Sequence, residues 1–433
     1  MNVLLAPIGS GGDLAPFIAV GRALARRGHR AVVLANPCFA EQVERAGLEL
    51  TAYGDAEDYR ALTANPDAID PLRGFYAVMD YVTRTIEPLQ RAITAEAARA
   101  AQQGSAPTVI VGHALAFGAR IAEEKLGLAG ATLHLSPAAL PSAHQPPVMN
   151  GVFNPSWMPR WYKRSAWWAI DRLVIDRAVG RPVNAARRAA GLPELVRLFE
   201  HGWDSPHRFL GLFPEWFAPV QPDWPSNLEL VGFPLDDAAA PLAPDEQAQL
   251  DAFLDGGSPP LVFTPGSGNR HAHGFFEAAI DASARLGRRA LLLTRFADQV
   301  PERLPEHVRH FAFVPLQTLL PRAAAIAHHG GIGTAAEALG AGVPQLVLPF
   351  SHDQPDNAAR LERLGVSRTI PWRRASGPAM SAALGKLLSS LEVARACHAW
   401  RRRAHAGDAL ESTCDALESL TARAPARRLR GER

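Results

Sequence analysis

Short apolar runs that end in glycine and give way to helical spacing recur along this chain in two separate series. The first opens at residues 2–6, passes through Gly9-Ser10-Gly11-Gly12 and continues into 14–27. There Leu14, Phe17, Ile18, Gly21 and Leu24 fall along one side of a helix. Gly28-His29 closes that helix, and 30–35 reads as a second strand. Further strands follow at 108–112 and 129–135, with a helix over 114–126 between them. The second series begins at 261–265 and adds strands at 290–294, 310–314, 324–328 and 345–349. Alternating strand and helix predicts an α/β chain whose parallel sheets are covered on both faces. Between the series stand Pro214, Pro219, Pro222 and Pro225, then Pro241, Pro244, Pro259 and Pro260. Proline at that density predicts connector rather than helix or central strand. The expectation is two doubly wound, Rossmann-like parallel-sheet domains facing a central cleft, with the boundary near residue 225.

At 433 residues the chain is too long for one hydrophobic core, which fits that division. A net charge of +2 provides no electrostatic footprint for nucleic acid. The charge is uneven: residues 421–433 hold five Arg and one Glu, and read as a basic, disordered tail. Cys38, Cys397 and Cys414 have neither zinc-site spacing nor the density of a disulfide framework, which points to a reducing cytoplasm. No signal peptide and no stretch of 18 apolar residues is evident, so the expectation is a cytoplasmic protein without a transmembrane segment.

The loop at 9–13 leaves the carboxyl end of the first strand, where open α/β sheets bind ligands. It lacks the third glycine of a dinucleotide fingerprint, and the next strand ends Leu34-Ala35-Asn36 without an acid for a ribose. Neither a P-loop nor a G-x-S-x-G elbow occurs; Pro265-Gly266-Ser267-Gly268 is one glycine short. What remains in the first loop is Asp13, which reads either as a helix N-cap or as a general base for a substrate hydroxyl. In the second series, Thr264-Pro265-Gly266-Ser267-Gly268 can offer N–H groups and a hydroxyl to a phosphate. Further on, an apolar strand runs into His328-His329-Gly330-Gly331-Ile332-Gly333-Thr334, with Glu337 one turn into the following helix. Small residues there let an anion reach the unpaired N–H groups of a helix start, and a histidine adds a donor. Asp353-Gln354 follow a strand, with Asn357 one turn later. Their acceptors and amide suit the vicinal hydroxyls of a hexose, although an N-cap reading of Asp353 is equally compatible with its position.

Together these segments resemble the nucleotide-sugar-dependent glycosyltransferases of the UDP-glycosyltransferase superfamily (glycosyltransferase family 1), which have the GT-B fold. The likeness extends over nearly the whole chain. It implies that His329 binds the diphosphate, with Ser267, Thr334 and the Gly330, Gly331, Ile332 and Gly333 backbone. It implies too that Glu337 holds the ribose, that Val314, before Pro315, contacts the base, and that Asp353 and Gln354 bind the sugar. His328 stays a candidate beside His329. Many members carry a catalytic histidine in the first loop; here none precedes His29, and Gly12-Asp13 resembles the sterol and antibiotic branch in which aspartate is the base.

Within the superfamily, the rhamnosyltransferase B chains of bacterial rhamnolipid synthesis are similar at Ser142-Ala143-His144-Gln145, Phe213-Pro214-Glu215-Trp216-Phe217 and Gly232-Phe233-Pro234-Leu235. The resemblance thus implies an inverting, metal-independent hexosyltransferase with no cofactor beyond its dTDP- or UDP-linked co-substrate. Residues 1–225 would bind the acceptor, 226–390 the nucleotide sugar, and a helix over 391–420 would pack back on the first domain. The donor implied is dTDP-rhamnose and the acceptor a lipid such as a 3-(3-hydroxyalkanoyloxy)alkanoate, with His144, Trp157 and Trp161 as its contacts. Trp157, Trp161 and Trp168 could share a helical face beside Arg160, Lys163 and Arg164, which suits core packing, a lipid channel or peripheral inner-membrane contact. Two alternatives stay open: a UDP-glucose-dependent enzyme acting on another apolar acceptor (polyketide, sterol or phenol), or a donor-binding subunit inactive without a membrane partner.

Overall fold

The computed structural model describes residues 1–104, 106–153, 155, 157–201, 204–235 and 242–422. Seven strands form the first sheet: β1 (Asn2–Ala6), β2 (Arg30–Ala35), β3 (Glu49–Ala52), β4 (Thr108–His113), β5 (Ala129–His134), β6 (Phe209–Gly211) and β7 (Leu228–Leu230). Six form the second: β8 (Leu261–Thr264), β9 (Ala290–Leu293), β10 (Val308–Phe311), β11 (Ala325–His328), β12 (Gln345–Val347) and β13 (Ser367–Thr369). All pairings are parallel, in the orders 3-2-1-4-5-6-7 and 10-9-8-11-12-13. Each order reverses once, between β1 and β4 and between β8 and β11. At such a switch point neighbouring loops diverge to opposite faces and leave a crevice at the carboxyl ends of the strands. The apolar runs are buried on both faces, as a sheet sandwiched by helices requires.

Several boundaries differ from expectation. The third strand of the second sheet is Val308–Phe311 rather than 310–314, because Pro315 ends pairing and starts a helical turn, Leu316–Leu319. The first sheet runs past residue 225: β7 lies inside the proline-rich stretch, but as a three-residue edge strand, the position proline neighbours tolerate. Pro244 starts helix Pro244–Asp255, since its missing N–H is no loss in a first turn.

In place of one helix over 391–420 there are two. Helix Leu391–Ala404 stays on the second domain, with Trp400 Nε1 donating to the Leu364 carbonyl at 2.9 Å. Helix Ala409–Ala422 crosses back, placing Leu410, Cys414, Leu417 and Leu420 in the first domain's core. Arg27 fixes it through Glu411 and Asp415, and His29 through Glu418. That helix reaches two residues into the expected tail; residues 423–433 lie outside the described residues. The two domains also share one apolar cluster, in which Phe213, Phe217 and Phe233 meet Ala335, Leu339, Ala358 and Leu361. Among the described residues no helix is long and apolar enough to cross a membrane.

Candidate active site in the interdomain cleft

On the first domain's side, β1 runs into helix Gly11–Arg26 through a closed capping box. Ser10, not Asp13, is the N-cap. Asp13 is its partner three residues on, and its Oδ2 accepts from the Ser10 N–H (2.6 Å) and hydroxyl (2.9 Å). The N-cap reading of Asp13 therefore gives way to a carboxylate with one oxygen pinned. Among the described residues Oδ1 has no hydrogen bond. Gly9 is required here: its φ is +129°, and a Cβ would lie 2.2 Å from Asp13 Oδ2.

His113, which sequence reasoning missed, ends β4 on the other side of the switch point. Burial lowers its imidazole to about 4, while the Asp13 carboxylate pulls the other way. Its Nδ1 accepts from the Leu115 N–H at 3.2 Å, so a neutral ring carries its proton on Nε2. The signal available was positional: a polar residue at the end of the strand predicted over 108–112.

Across the cleft, the loop after β8 meets the first loop directly. A Cβ on Gly11 would stand 3.6 Å from Ser267 Oγ, and one on Gly268 would stand 3.6 Å from Ser10 Cβ. The two histidines then separate. His328 is fully buried on β11, with Nδ1 accepting from the Gly330 N–H (3.1 Å) and Nε2 donating to Gln345 Oε1 (3.0 Å). Burial pushes it down to about 4, so it is a satisfied, neutral core residue. His329 instead turns into the cleft region between Gly266 and Gly331, either of which would strike its ring if it carried a Cβ (2.7 and 2.4 Å). It stacks on Phe350 (centroids 5.9 Å apart), and its buried Nδ1 has no partner. Burial and the neighbouring His328 push it down to about 3. Helix Ile332–Ala341 follows with Gly331 as N-cap and no side-chain cap, so its first N–H groups stay open. Gly333 is exposed there, and Thr334 and Glu337 are half-buried.

Asp353 stands at the N-cap position of helix Gln354–Arg363 but makes no cap bond. Its Oδ2 accepts from Asn357 Nδ2 at 2.7 Å, and withdrawal from water pushes its carboxyl up to about 6. Gln354 uses its carbonyl oxygen on the Phe350 and Ser351 N–H groups (3.0 and 3.2 Å), leaving its amide N–H2 as what it can offer a ligand. His352 has a left-handed φ of +59° and donates from Nε2 to the Ala68 carbonyl of the first domain. Val314 differs from expectation: its side chain is buried with Phe311 and Leu319, so only its backbone can face a base, and Phe313 is the exposed neighbour. Arg270 and Arg295, also unanticipated, both lie over the Phe296 ring, at 4.6 and 5.0 Å, beside the β8 and β9 ends.

Asp223 holds the segment around His144 by accepting from the Ser142 hydroxyl and the Ala143 N–H (2.7 Å each). The same segment reaches the second domain, where the Val148 N–H donates to Asp356 and Asn150 Nδ2 to the Phe350 carbonyl. Trp157 and Trp161 do not pack into the first domain: they are 72% and 69% exposed, and Trp168 is 50% exposed. Trp167 is the one that packs, stacked on Phe199, and Lys163 is buried rather than lying on the basic face. Among the described residues no three His, Cys, Asp or Glu side chains form a group able to hold a metal.

Known proteins match this chain over both halves. A model for the glycosyltransferase family 28 N-terminal domain matches residues 3–144, and one for the erythromycin biosynthesis protein CIII-like C-terminal domain matches 290–406. Vancomycin aglycone glucosyltransferase of Amycolatopsis orientalis is 32% identical over 403 residues, 92% of either protein. O-mycaminosyltylonolide 6-deoxyallosyltransferase of Streptomyces fradiae is 30% identical over 436 residues, 96% of this chain and 97% of that one. The crystal structure of the glycotransferase of kitacinnamycin has the same fold, with TM-score 0.71 at 23% identity over 97% of this chain and 99% of that one.

Proposed function

The chain belongs to the GT-B glycosyltransferases, and from that premise we propose that it moves a hexose, with inversion, from a nucleoside diphosphate to a hydroxyl of an apolar acceptor. One observation carries this reading. Asp13, whose Oδ1 has no hydrogen bond among the described residues, sits in the helical turn after the loop that approaches the Ser267 loop, with an uncapped helix start and the His329 ring on the second domain's side. On this reading the first domain supplies the proton acceptor and the second the anion-binding groups.

The acceptor O–H gives its proton to Asp13 Oδ1 as its oxygen bonds to the anomeric carbon. The bond from that carbon to the β-phosphate oxygen breaks, and its electron pair leaves with the diphosphate. His329, the Ser267 hydroxyl and the N–H groups from Ile332 to Thr334 disperse that charge. Burial keeps His329 neutral, and a bound diphosphate would raise its basicity by direct attraction. Glu337 takes the ribose, the Val314 backbone the base, and Asp353 with Gln354 the sugar hydroxyls.

For the donor we favour dTDP-rhamnose, supported by the segments similar to rhamnosyltransferases and by a relative whose name carries a 6-deoxyhexose. For the acceptor we favour a hydroxyalkanoyloxyalkanoate, contacted by His144 and the 142–150 segment. The exposed Trp157, Trp161 and Trp168, beside Arg160 and Arg164, would rest on an anionic inner-membrane surface. The relative named for the vancomycin aglycone supports a second reading, UDP-glucose with a natural-product aglycone.

A panel of dTDP-rhamnose, UDP-glucose and dTDP-glucose against both acceptor classes, read by mass spectrometry, decides between them. No glycoside from any pair rejects both. Flotation with anionic liposomes tests the membrane contact, which fails if wild type stays at the bottom of the gradient.

A further inference from the structure

Asn357 is fully buried in the first turn of helix Gln354–Arg363, and its side chain makes three hydrogen bonds to different parts of the cleft. One amide hydrogen goes to the Gly330 carbonyl (2.9 Å), in the left-handed turn after His329. The other goes to Asp353 Oδ2 (2.7 Å). Its Oδ1 accepts from the Ser136 hydroxyl (3.1 Å), which belongs to the first domain and lies just past Leu135 at the β5 end. The amide has one usable orientation, because a flip would turn its oxygen toward a carbonyl and a carboxylate. Ser136 has one proton and spends it here, while accepting from the Ala138 N–H. When the domains part, this bond must break. The adjacent interdomain contacts, Val148 N–H to Asp356, Arg360 to the Phe217 carbonyl and His352 Nε2 to the Ala68 carbonyl, do not involve the Asp353 side chain.

We propose that Asn357 is a positioning residue that, through Ser136, makes the orientation of Asp353 depend on the seating of the acceptor domain. The sugar-binding carboxylate is then fully aligned only in the closed cleft, which ties recognition of the donor sugar to closure over the acceptor. A buried, fully connected polar relay is stiff, and loss of one member loosens the others. The proposal rests on reading Asp353 as a sugar ligand.

The test separates sugar recognition from nucleotide recognition in the full-length protein. Calorimetry gives Kd for dTDP and dTDP-rhamnose, and for UDP and UDP-glucose; the ratio within each pair is the sugar increment. Ser136→Ala touches no donor-lining side chain. It should leave diphosphate affinity within about twofold and cut the sugar increment about three- to tenfold, as expected for one net hydrogen bond. In an Asp353→Asn background the same change should have no further effect. Asn357→Ala should lower both affinities, because it also releases Gly330. Equal losses for diphosphate and nucleotide sugar in Ser136→Ala, no loss in either, or additivity with Asp353→Asn would each overturn the proposal. If Asp353→Asn alone leaves the sugar increment intact, the sugar-ligand reading fails instead, and the two failures are distinguishable.

Discussion

The first turns of helices Gly11–Arg26 and Ile332–Ala341 each follow a glycine-rich loop at the switch point of a parallel sheet, one after β1 and the other after β11. Their chemistry is opposite. The first is closed by its own residues: Ser10 and Asp13 satisfy each other and the helix start, so the positive end is already neutralised. The second starts on glycine without a side-chain cap, next to a histidine with a free nitrogen. The two switch points thus present a carboxylate on one side and an uncapped helix start on the other. A side-chain cap, present or absent, makes the difference.

The largest expected effect is on the closed side. Asp13→Asn should lower kcat roughly 10²–10⁴-fold, the range of general-base loss, while calorimetric donor affinity stays near wild type. Near-normal turnover would sink the base assignment. On the open side, His329→Ala should weaken donor binding about 10–100-fold, as loss of a hydrogen bond to a charged group does. Gly331→Ala should act in the same direction, since its Cβ would displace the His329 ring. His328→Ala is the contrast: it takes away the side-chain partners of the Gly330 N–H and of Gln345 Oε1 and should lower stability by about 1–3 kcal/mol in urea titration, with little change in donor affinity.

A smaller effect follows from Asp353. Because its carboxyl is raised to about 6, acid protonates it in the folded protein well before an ordinary aspartate. Donor kcat/KM should therefore fall as pH drops through about 6, and Asp353→Asn should flatten that limb of the profile. The smallest effect is Ser10→Ala, which removes the cap hydroxyl. It should lower stability by about 1 kcal/mol without creating diphosphate affinity in the first loop. Should it bind diphosphate there, capping is not what separates the two helix starts.

Periodicity made the strands and the two-domain plan legible, because buried parallel strands are continuous apolar runs such as 30–35 and 290–293. The turn from His329 into the helix carrying Glu337 was legible as strand-to-helix punctuation, because glycines between an apolar run and a helical pattern mark one. What escaped depended on neighbours in space. The roles of His328 and His329 are identical in sequence terms and differ only in which ring meets Gln345. Asp13 looked like an N-cap because the capping serine stands three residues earlier, and reciprocity is invisible in one strand of text. His113 becomes relevant only when β4 is known to lie beside β1. Val314 sits at the expected position, yet its side chain turns inward against Leu319. Trp161 and Trp168 have core-like composition but sit in water, since a helix face carries no mark of which side the sheet will cover.

The crossing helix Ala409–Ala422 has a bearing on how the protein is made. The strands of the first sheet are complete once Leu230 has been added, yet Leu410, Cys414, Leu417 and Leu420 of its core lie about 180 to 190 residues further along the chain. At typical translation speeds that is roughly 10–40 s during which the helix Gly11–Arg26 side of the nascent domain lacks its cover. A chain truncated before residue 409 would keep every residue of the cleft and still leave that apolar surface open, and a nascent chain in the same state depends on chaperones or on speed to stay soluble.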